Sequence, residues 1–462
     1  MALVRLPFLS AATAMPDPPP LLLLSFDGFR HDYIDRHPAP NLRWLRAAGS
    51  SAGRLRTVNI SKTLPSHWSL ITGAAPASHG LLANDFFSPD DGARFSAKAE
   101  HGDERWWQGA EPLWVTAERQ GLRTAPQYWP GSDAVVRGVR PTYWSKFPED
   151  RDLNFGRQVA RAIGLLALPP ERRPSFLTLY SDVVDKTTHS AGPDSADAAN
   201  AVAQADAMLG QLLRALAGAG WLGRANIVVV SDHGMVPVGR ALPLVSRLSA
   251  SELAQLRLAP KADEIKAHGA AILMLRPRRS LAPRRRAALL RAVRRRLDGW
   301  EGATLELWPP GGAASEQMGW LHMDCGDVVT LRTAATVAAG AQLERRGLTS
   351  HGAFTPAKEG LVGGGAHGYV PERCDPGGAW SGTPHAMDGI LLAHGPAFAA
   401  GARSAVFPAL GVHLLLARTL RIEPSAEAEA GDDTERAVRE LLRPPPAPGW
   451  RWVGWPMLPF FY

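Results

Sequence analysis

Cysteine is nearly absent from this sequence. The 462 residues include only two cysteines, Cys325 and Cys374, and neither belongs to a C-x-x-C pair. Because a cysteine zinc site needs several closely spaced cysteines, this scarcity excludes a zinc site of that kind. Two interpretations of the pair stay open: one disulfide, which an oxidising compartment would permit, or two separate buried thiols.

Lysine is also scarce. Only seven of the 51 basic residues are lysine, so the net charge of +7 comes almost entirely from arginine. A basic surface attracts anions, although an arginine-favouring genome produces the same composition. The densest arginine run, at 283–299, has apolar residues on its other helical face and no interleaved aromatic residues. This pattern favours a solvated amphipathic helix, and we expect no stable nucleic-acid partner.

Long apolar runs are missing as well. None approaches the roughly 18 residues of a membrane-spanning helix, so we expect no membrane span. The first 14 residues, with Arg5 and a final Ala-Thr-Ala, resemble a short signal peptide, but Pro7 interrupts their apolar stretch. A disordered start is the alternative. A periplasmic or secreted location is favoured over a cytoplasmic one, and no feature indicates an oligomeric state.

Short apolar runs alternate with helical patterns along the chain. Strand candidates lie at 21–26, 175–180, 226–230 and 389–393, and helical patterns at 40–48, 65–71 and 195–217. This alternation predicts an α/β fold with a mostly parallel central sheet and helices on both faces. We expect one catalytic domain at 21–423 after a lead-in at 1–20, with an inserted smaller subregion at about 240–360. The C-terminal extension, 424–462, is expected to be loose over 424–448, with its aromatic end docked on the domain.

Carboxylate and imidazole side chains follow the strand candidates. Ligands of open α/β sheets bind outside the carboxyl ends of the strands, so these side chains are expected at one rim. Mixed oxygen and imidazole ligands suit zinc, with three protein ligands for each catalytic ion. The candidates are Asp27 after the first strand, Asp185 and His189 after the second, Asp232 and His233 after the third, and His367 before the fourth.

Thr63 stands at a predicted helix start. Pro65 is typical of a first helical turn, and the segment reads Ser61-Lys-Thr-Leu-Pro-Ser-His67. An N-capping threonine is one interpretation. The other uses the same geometry, because a helix N-terminus presents N–H groups to a phosphate, where an activated hydroxyl can act as nucleophile.

These segments resemble the nucleotide pyrophosphatase/phosphodiesterase family of the alkaline phosphatase superfamily. They occur in the family's order and cover residues 20–240 and 360–400. The resemblance therefore implies an alkaline-phosphatase-like fold. The matching motifs are Asp27-Gly-Phe-Arg30, Pro40-Asn-Leu42, Lys62-Thr-Leu-Pro-Ser-His67, Ile71-Thr-Gly73, Ser78-His-Gly80 with Asn84, Glu111-Pro-Leu-Trp-Val115, Trp129-Pro-Gly-Ser-Asp133, Asp185 to His189, Ser231-Asp-His-Gly-Met235, His367-Gly-Tyr369 and Gly395-Pro-Ala-Phe398.

The resemblance also implies roles for individual residues. Two zinc ions would be bound, one by Asp27, Thr63, Asp232 and His233, the other by Asp185, His189 and His367. Thr63 would be the nucleophile of a double displacement that passes through a phosphothreonine. Asn84 and the Thr63 backbone N–H would bind a phosphoryl oxygen, and Leu64 and Trp144 would flank a nucleobase.

The implied activity is hydrolysis of nucleotide phosphodiester or phosphoanhydride bonds, which releases a nucleoside 5'-monophosphate. One alternative of the same fold is a phosphodiesterase for lysophospholipid or choline diesters. A non-catalytic nucleotide-binding protein is a second alternative, against which the full ligand set argues. A sulfatase is disfavoured because no C-x-P-x-R sequence surrounds Thr63. A phosphomonoesterase is disfavoured because such relatives commonly use serine and an arginine clamp.

Overall fold

A seven-stranded sheet forms the centre of the molecule. The structure is a computed structural model that describes residues 18–88, 91–97, 103–145, 154–261, 265, 270–308, 318–325, 327–330, 365–367, 369, 374, 384–429 and 431–444. The strands are β1 Leu21–Phe26, β2 Ser50–Arg56, β3 Asp85–Phe87, β4 Arg94–Ser96, β5 Thr124–Ala125, β6 Phe176–Ser181, β7 Asn226–Val230, β8 Val236–Pro237, β9 Arg240–Pro243, β10 Leu256–Ala259, β11 Ile272–Pro277, β12 Ala303–Trp308, β13 Met318–Met323, β14 Asp327–Thr330, β15 Gly365–Ala366, β16 Leu391–His394 and β17 Arg403–Pro408.

Helices cover the sheet on both faces. They are α1 Tyr33–Arg36, α2 Pro40–Ala48, α3 Thr63–Thr72, α4 Pro76–His79, α5 Leu113–Arg119, α6 Phe155–Leu166, α7 Val183–Ala191, α8 Ala196–Gly218, α9 Ala250–Ala254, α10 Pro283–Leu297, α11 Gly411–Leu420 and α12 Asp432–Leu441. In the described part of the chain, none is long and apolar enough to cross a membrane.

The central sheet has the strand order β17-β2-β16-β7-β1-β6-β5. Only β16 runs antiparallel to its neighbours among these strands. Alternate side chains of β1 enter different cores: Leu21 and Leu23 pack with α3, α5 and α11, whereas Leu22 and Leu24 pack with α2, α6 and α8. A strand buried on both faces reads as a continuous apolar run, and the predicted α/β fold is confirmed.

Strand register brings three strand ends to one edge. Phe26 of β1 pairs with Ser181 of β6, and Ser25 pairs with Val230 of β7. All three strands are parallel, so the chain leaves each of them at the same rim. This rim carries the candidate site.

A second sheet lies within the stretch predicted as an insert. It is antiparallel, with the order β10-β11-β13-β12, and Leu289 and Val293 of α10 pack in the same apolar cluster as Leu273 of β11. The structure joins Cys325 and Cys374, whose Cα atoms are 5.4 Å apart, in a disulfide. Of the two interpretations of these cysteines, the structure has the disulfide.

The C-terminal extension is not loose throughout. The expectation for 424–448 was wrong at α12, whose Ala437, Val438 and Leu441 are buried in the core that also holds α11. The acidic, alanine-rich composition of this segment does not indicate a packed helix. Its three apolar residues nevertheless lie on one face of α12 and pack the ten-residue helix against the core. The aromatic end at 450–462 lies outside the described residues.

Helix α2 is capped by a distant residue. Its own N-cap position is Ala39, which has no side-chain acceptor. The buried carboxylate of Asp206, on α8, accepts hydrogen bonds from the N–H groups of Asn41 at 3.2 Å and Leu42 at 2.8 Å. It also accepts one from the Asn41 side chain at 2.7 Å. Helix ends carry unsatisfied N–H groups, so this contact stabilises the packing of α2 against α8.

Candidate metal and phosphoryl site

Gly28 lets three carboxylates converge at the rim. It follows Asp27 with φ of 68°, and a Cβ there would lie 2.9 Å from the Cα of Asp185. Its N–H donates a hydrogen bond of 3.1 Å to Oδ1 of Asp232. A glycine accepts this left-handed conformation and this close approach at little cost. The sequence Asp27-Gly28 therefore brings the ends of β1, β6 and β7 together.

Six predicted ligands form two groups. In the inner group, Asp27, Asp232 and His233 offer ligand atoms that all lie within 4.8 Å of one another. The same holds for the outer group, which consists of Asp185, His189 and His367. The two groups adjoin, since the rings of His233 and His367 stack with centroids 3.8 Å apart.

The groups differ in exposure. The inner side chains are at most 2% exposed, whereas Asp185 is 15% and His189 is 38% exposed. Asp185 and His189 stand one turn apart on α7, and their facing atoms are 3.4 Å apart. The outer group therefore opens towards solvent and the inner group does not.

Four ligand atoms are buried without a hydrogen-bond partner. They are Oδ1 of Asp27, Oδ2 of Asp232, Nε2 of His233 and Oδ1 of Asp185. Buried polar atoms are normally paired, and an unpaired one costs free energy. Nε2 of His233 lies 3.1 Å from Asp232 Oδ2 and 3.4 Å from Asp27 Oδ1. Converging orphaned oxygen and nitrogen atoms of this kind fit a bound cation.

Hydrogen bonds between the candidate ligands and groups outside the two ligand groups fix the orientation of the ligand side chains. Nδ1 of His233 donates to the carbonyl of Gly234 at 2.8 Å, and Nδ1 of His367 donates to that of Ser61 at 2.9 Å. Both imidazoles thereby direct Nε2 into the site, as metal-binding histidines commonly do. The buried Tyr180 hydroxyl donates to Oδ2 of Asp27. The sequence analysis missed Tyr180, whose only signal is its position one residue before the end of β6.

Charge and burial set the protonation of the inner group. Burial raises the pKa of Asp27 well above its usual value, and the neighbouring Asp232 and Asp185 carboxylates raise it further. Burial also opposes ionisation of Asp232, but His233 and His67 bring its pKa down to about 2. Burial lowers the pKa of His233 and of His367, which favours the neutral imidazole that a metal ligand requires.

Thr63 is the first residue of α3 and is half-buried. Lys62, before it, has extended backbone at the N-cap position, so Thr63 lies inside the first turn rather than at the cap. The N–H of Leu64 donates to Oδ1 of Asn84 at 2.9 Å. This bond fixes the Asn84 amide beside the helix start, with its NH₂ group turned away from Leu64.

Leu64 and Trp144, the residues predicted to flank a nucleobase, differ in exposure. The Leu64 side chain is 4% exposed and packs in the core with α3 and α5. Trp144 is 45% exposed, and the Arg140 guanidinium lies 4.0 Å from its ring centroid. The adjacent Tyr143 N–H donates to the Thr124 carbonyl of β5. The roles of Leu64 and Trp144 stay a prediction.

Comparisons with known proteins agree with this fold. A family model described as type I phosphodiesterase/nucleotide pyrophosphatase matches residues 21–369. Human ectonucleotide pyrophosphatase/phosphodiesterase family member 1 is 35% identical over 219 residues, 47% of this chain and 24% of that protein. A venom phosphodiesterase of Crotalus durissus collilineatus is 34% identical over 231 residues, 49% of this chain and 28% of that protein. The chain thus matches about a quarter of the length of these relatives.

Solved structures share the fold. Murine ectonucleotide pyrophosphatase/phosphodiesterase 5, in an inactive variant in complex with AMP, superposes with a TM-score of 0.71 at 24% identity. The match covers 92% of this chain and 100% of the murine chain. This chain belongs to the type I phosphodiesterase/nucleotide pyrophosphatase family.

Proposed function

We propose that this protein is a zinc-dependent phosphodiesterase and nucleotide pyrophosphatase that forms a phosphothreonine on Thr63. The observation that carries the proposal is the set of four orphaned ligand atoms in two adjoining groups. A non-catalytic nucleotide-binding protein has no need of four buried ligand atoms without hydrogen-bond partners, because each such atom reduces the stability of the metal-free fold.

Two zinc ions suit the ligand sets. Each group combines carboxylate oxygen with imidazole nitrogen and offers three side chains, the number that catalytic zinc sites commonly have. Paired zinc ions supply charge that stabilises both the attacking and the leaving oxygen of an in-line phosphoryl displacement. Asp27, Asp232 and His233 would bind one ion and Asp185, His189 and His367 the other, with Thr63 completing the inner site.

The chain's own residues would bind and position the phosphoryl group. In the first step, the Thr63 hydroxyl oxygen forms a bond to phosphorus, the bond to the leaving alcohol or phosphate breaks, and the hydroxyl proton ends on that leaving group. The α3 N-terminus and the Asn84 amide would donate hydrogen bonds to the phosphoryl oxygens, where negative charge develops. In the second step, water attacks the phosphothreonine, restores the threonine hydroxyl and releases the monophosphate product.

The substrate class follows from the relatives. The human relative is named a nucleotide pyrophosphatase/phosphodiesterase, and the murine structure contains AMP. A nucleotide is therefore the proposed substrate, and a lysophospholipid or choline diester is the alternative of the same fold.

The test compares three nitrophenyl substrates side by side with zinc-reconstituted protein. They are the nitrophenyl ester of thymidine monophosphate, nitrophenyl phosphate and nitrophenyl phosphorylcholine. The expected order of kcat/KM places the thymidine diester first. Preference for phosphorylcholine would establish the lipid-type alternative, and inactivity on all three would remove the enzymatic proposal.

Metal analysis tests the ligand sets independently of activity. The active protein should contain two zinc ions per chain. Asp232→Ala and His189→Ala should each lower that content, and the surface variant Glu301→Ala, at a residue 88% exposed, should not. Active protein that contains one ion or none would contradict the two-zinc scheme.

A further inference from the structure

The buried His67 joins the helix that carries Thr63 to the inner group. It is fully buried on α3, one turn after Thr63. Its Nδ1 lies 2.8 Å from the Thr63 carbonyl oxygen and 3.3 Å from Oδ2 of Asp232. Nδ1 donates its hydrogen bond to the carbonyl, and the same N–H faces the carboxylate without forming a second hydrogen bond, so both contacts are favourable only with the proton on Nδ1.

The other side of the ring is also held in place. Nε2 lies 2.9 Å from the hydroxyl of Ser25, which stands on β1 two residues before Asp27. The edges of Trp129 and Tyr180 pack against the ring, with centroids at 4.9 Å and 5.4 Å. Because contacts hold the imidazole at both nitrogens and at its edges, the Nδ1–H sets the position of the first α3 turn relative to Asp232.

We propose that His67 is a positioning residue that aligns Thr63 with the inner metal group through its Nδ1–H. This proposal rests on the proposed role of Thr63 as nucleophile. The ring itself does not touch substrate. It restrains the Thr63 backbone and supports the Asp232 oxygen that is directed at His233. Displacement of a nucleophile by about 1 Å is enough to lower rates severely, so such a restraint acts mainly on kcat.

Two substitutions separate the hydrogen bond from the packing. His67→Asn retains an N–H donor near the place of Nδ1, whereas His67→Leu fills the space without a donor. We expect His67→Leu to lower kcat by about 10- to 100-fold, because a nucleophile displaced by about 1 Å can lose about 100-fold in rate, with KM changed less than about threefold. His67→Asn should recover most of this loss. Zinc content should stay the same in both variants, since all six proposed ligands remain.

A matched control lies at the other end of the same helix. The buried His413 donates from Nδ1 to the Ile71 carbonyl of α3 at 2.8 Å, but it contacts no candidate ligand. His413→Leu should lower the melting temperature and leave the kcat of the folded protein unchanged. The proposal would be overturned if His67→Leu and His413→Leu lost kcat equally, or if His67→Asn did not recover kcat. Either result would show that His67 contributes only to packing.

A readout on metal-free protein is independent of turnover. The ¹⁵N shifts of His67 should report a proton on Nδ1, and a proton on Nε2 alone would overturn the proposal. Thr63→Ala separates the two proposals: if it retains turnover, the function proposed for Thr63 fails. If Thr63→Ala is inactive and His67→Leu retains full kcat, only the positioning role fails.

Discussion

Asp27→Asn should change stability in opposite directions with and without metal. Asp27 is buried, its Oδ1 has no hydrogen-bond partner, and Asp232 and Asp185 are close enough to raise its pKa. Asparagine has the same shape and can still accept the Tyr180 hydroxyl bond. In metal-free protein the change removes an unpaired acid from a cluster of acids. In zinc-bound protein it removes a proposed ligand.

The two effects have comparable size. A site that is saturated at about 1,000 times its Kd stabilises the fold by about 4 kcal/mol, and each tenfold loss of affinity removes about 1.4 kcal/mol. Asparagine carries no negative charge and can direct its NH₂ group at Nε2 of His233, which lies 3.4 Å from Oδ1 of Asp27, so the variant should regain about 1–3 kcal/mol in the metal-free state. The variant should therefore melt below the wild type in zinc and at or above it in chelator.

Differential scanning calorimetry at one pH, with zinc and with a chelator, measures both shifts. Asp206→Asn is the matched control, because Asp206 is equally buried but caps α2 away from the site. Its effect should be the same in both conditions. A parallel shift of Asp27→Asn in both conditions would refute the reasoning that metal, rather than packing, explains the orphaned carboxylate.

Three further predictions follow from single contacts. Asp206→Ala should lower the free energy of unfolding by about 1–3 kcal/mol in urea titration without changing kcat, since it removes the α2 cap; a change in kcat would link α2 to the site. Replacing Cys325 and Cys374 by alanine removes a cross-link that spans 49 residues, and should lower the free energy of unfolding, measured by urea titration, by up to about 4 kcal/mol. An unchanged unfolding midpoint would show that the cross-link does not stabilise this fold. Trp144→Ala should lower kcat/KM for the thymidine diester by about tenfold and leave kcat/KM for diesters without a base unchanged; this is near the lower end of the range of stacking energies, because Arg140 covers one face of the ring. Equal losses on both substrate types, or an equal loss in the exposed-tryptophan control Trp44→Ala, would show that Trp144 does not bind the base.

Local patterns predicted much of the fold. Strands β1 and β7 and helix α2 have the bounds that the sequence indicated, since continuous apolar runs and Pro at a first helical turn are local signals. The strand-end rule also indicated that Asp27, Asp185 and Asp232 would share a rim, where the structure has them.

Longer-range features could not be read from the sequence. The strand pattern alone did not divide the six ligands into two groups; only the family resemblance implied that division, which rests on the close approach of Gly28 to Asp185, more than 150 residues apart along the chain. The antiparallel direction of β16 has no local signal in the sequence. Tyr180 and His67 lie in strand and helix positions whose partners appear only in three dimensions.

Trapping phosphate on Thr63 is the most direct test of covalent catalysis by this residue. Protein that is turning over the thymidine diester is quenched in acid, digested and mapped by mass spectrometry. We expect phosphate on the peptide that contains Thr63, and no phosphopeptide in Thr63→Ala, which should lose nearly all turnover while it retains zinc. Near wild-type turnover of Thr63→Ala, with no phosphorylated residue in either protein, would contradict a phosphothreonine intermediate and require direct attack by water.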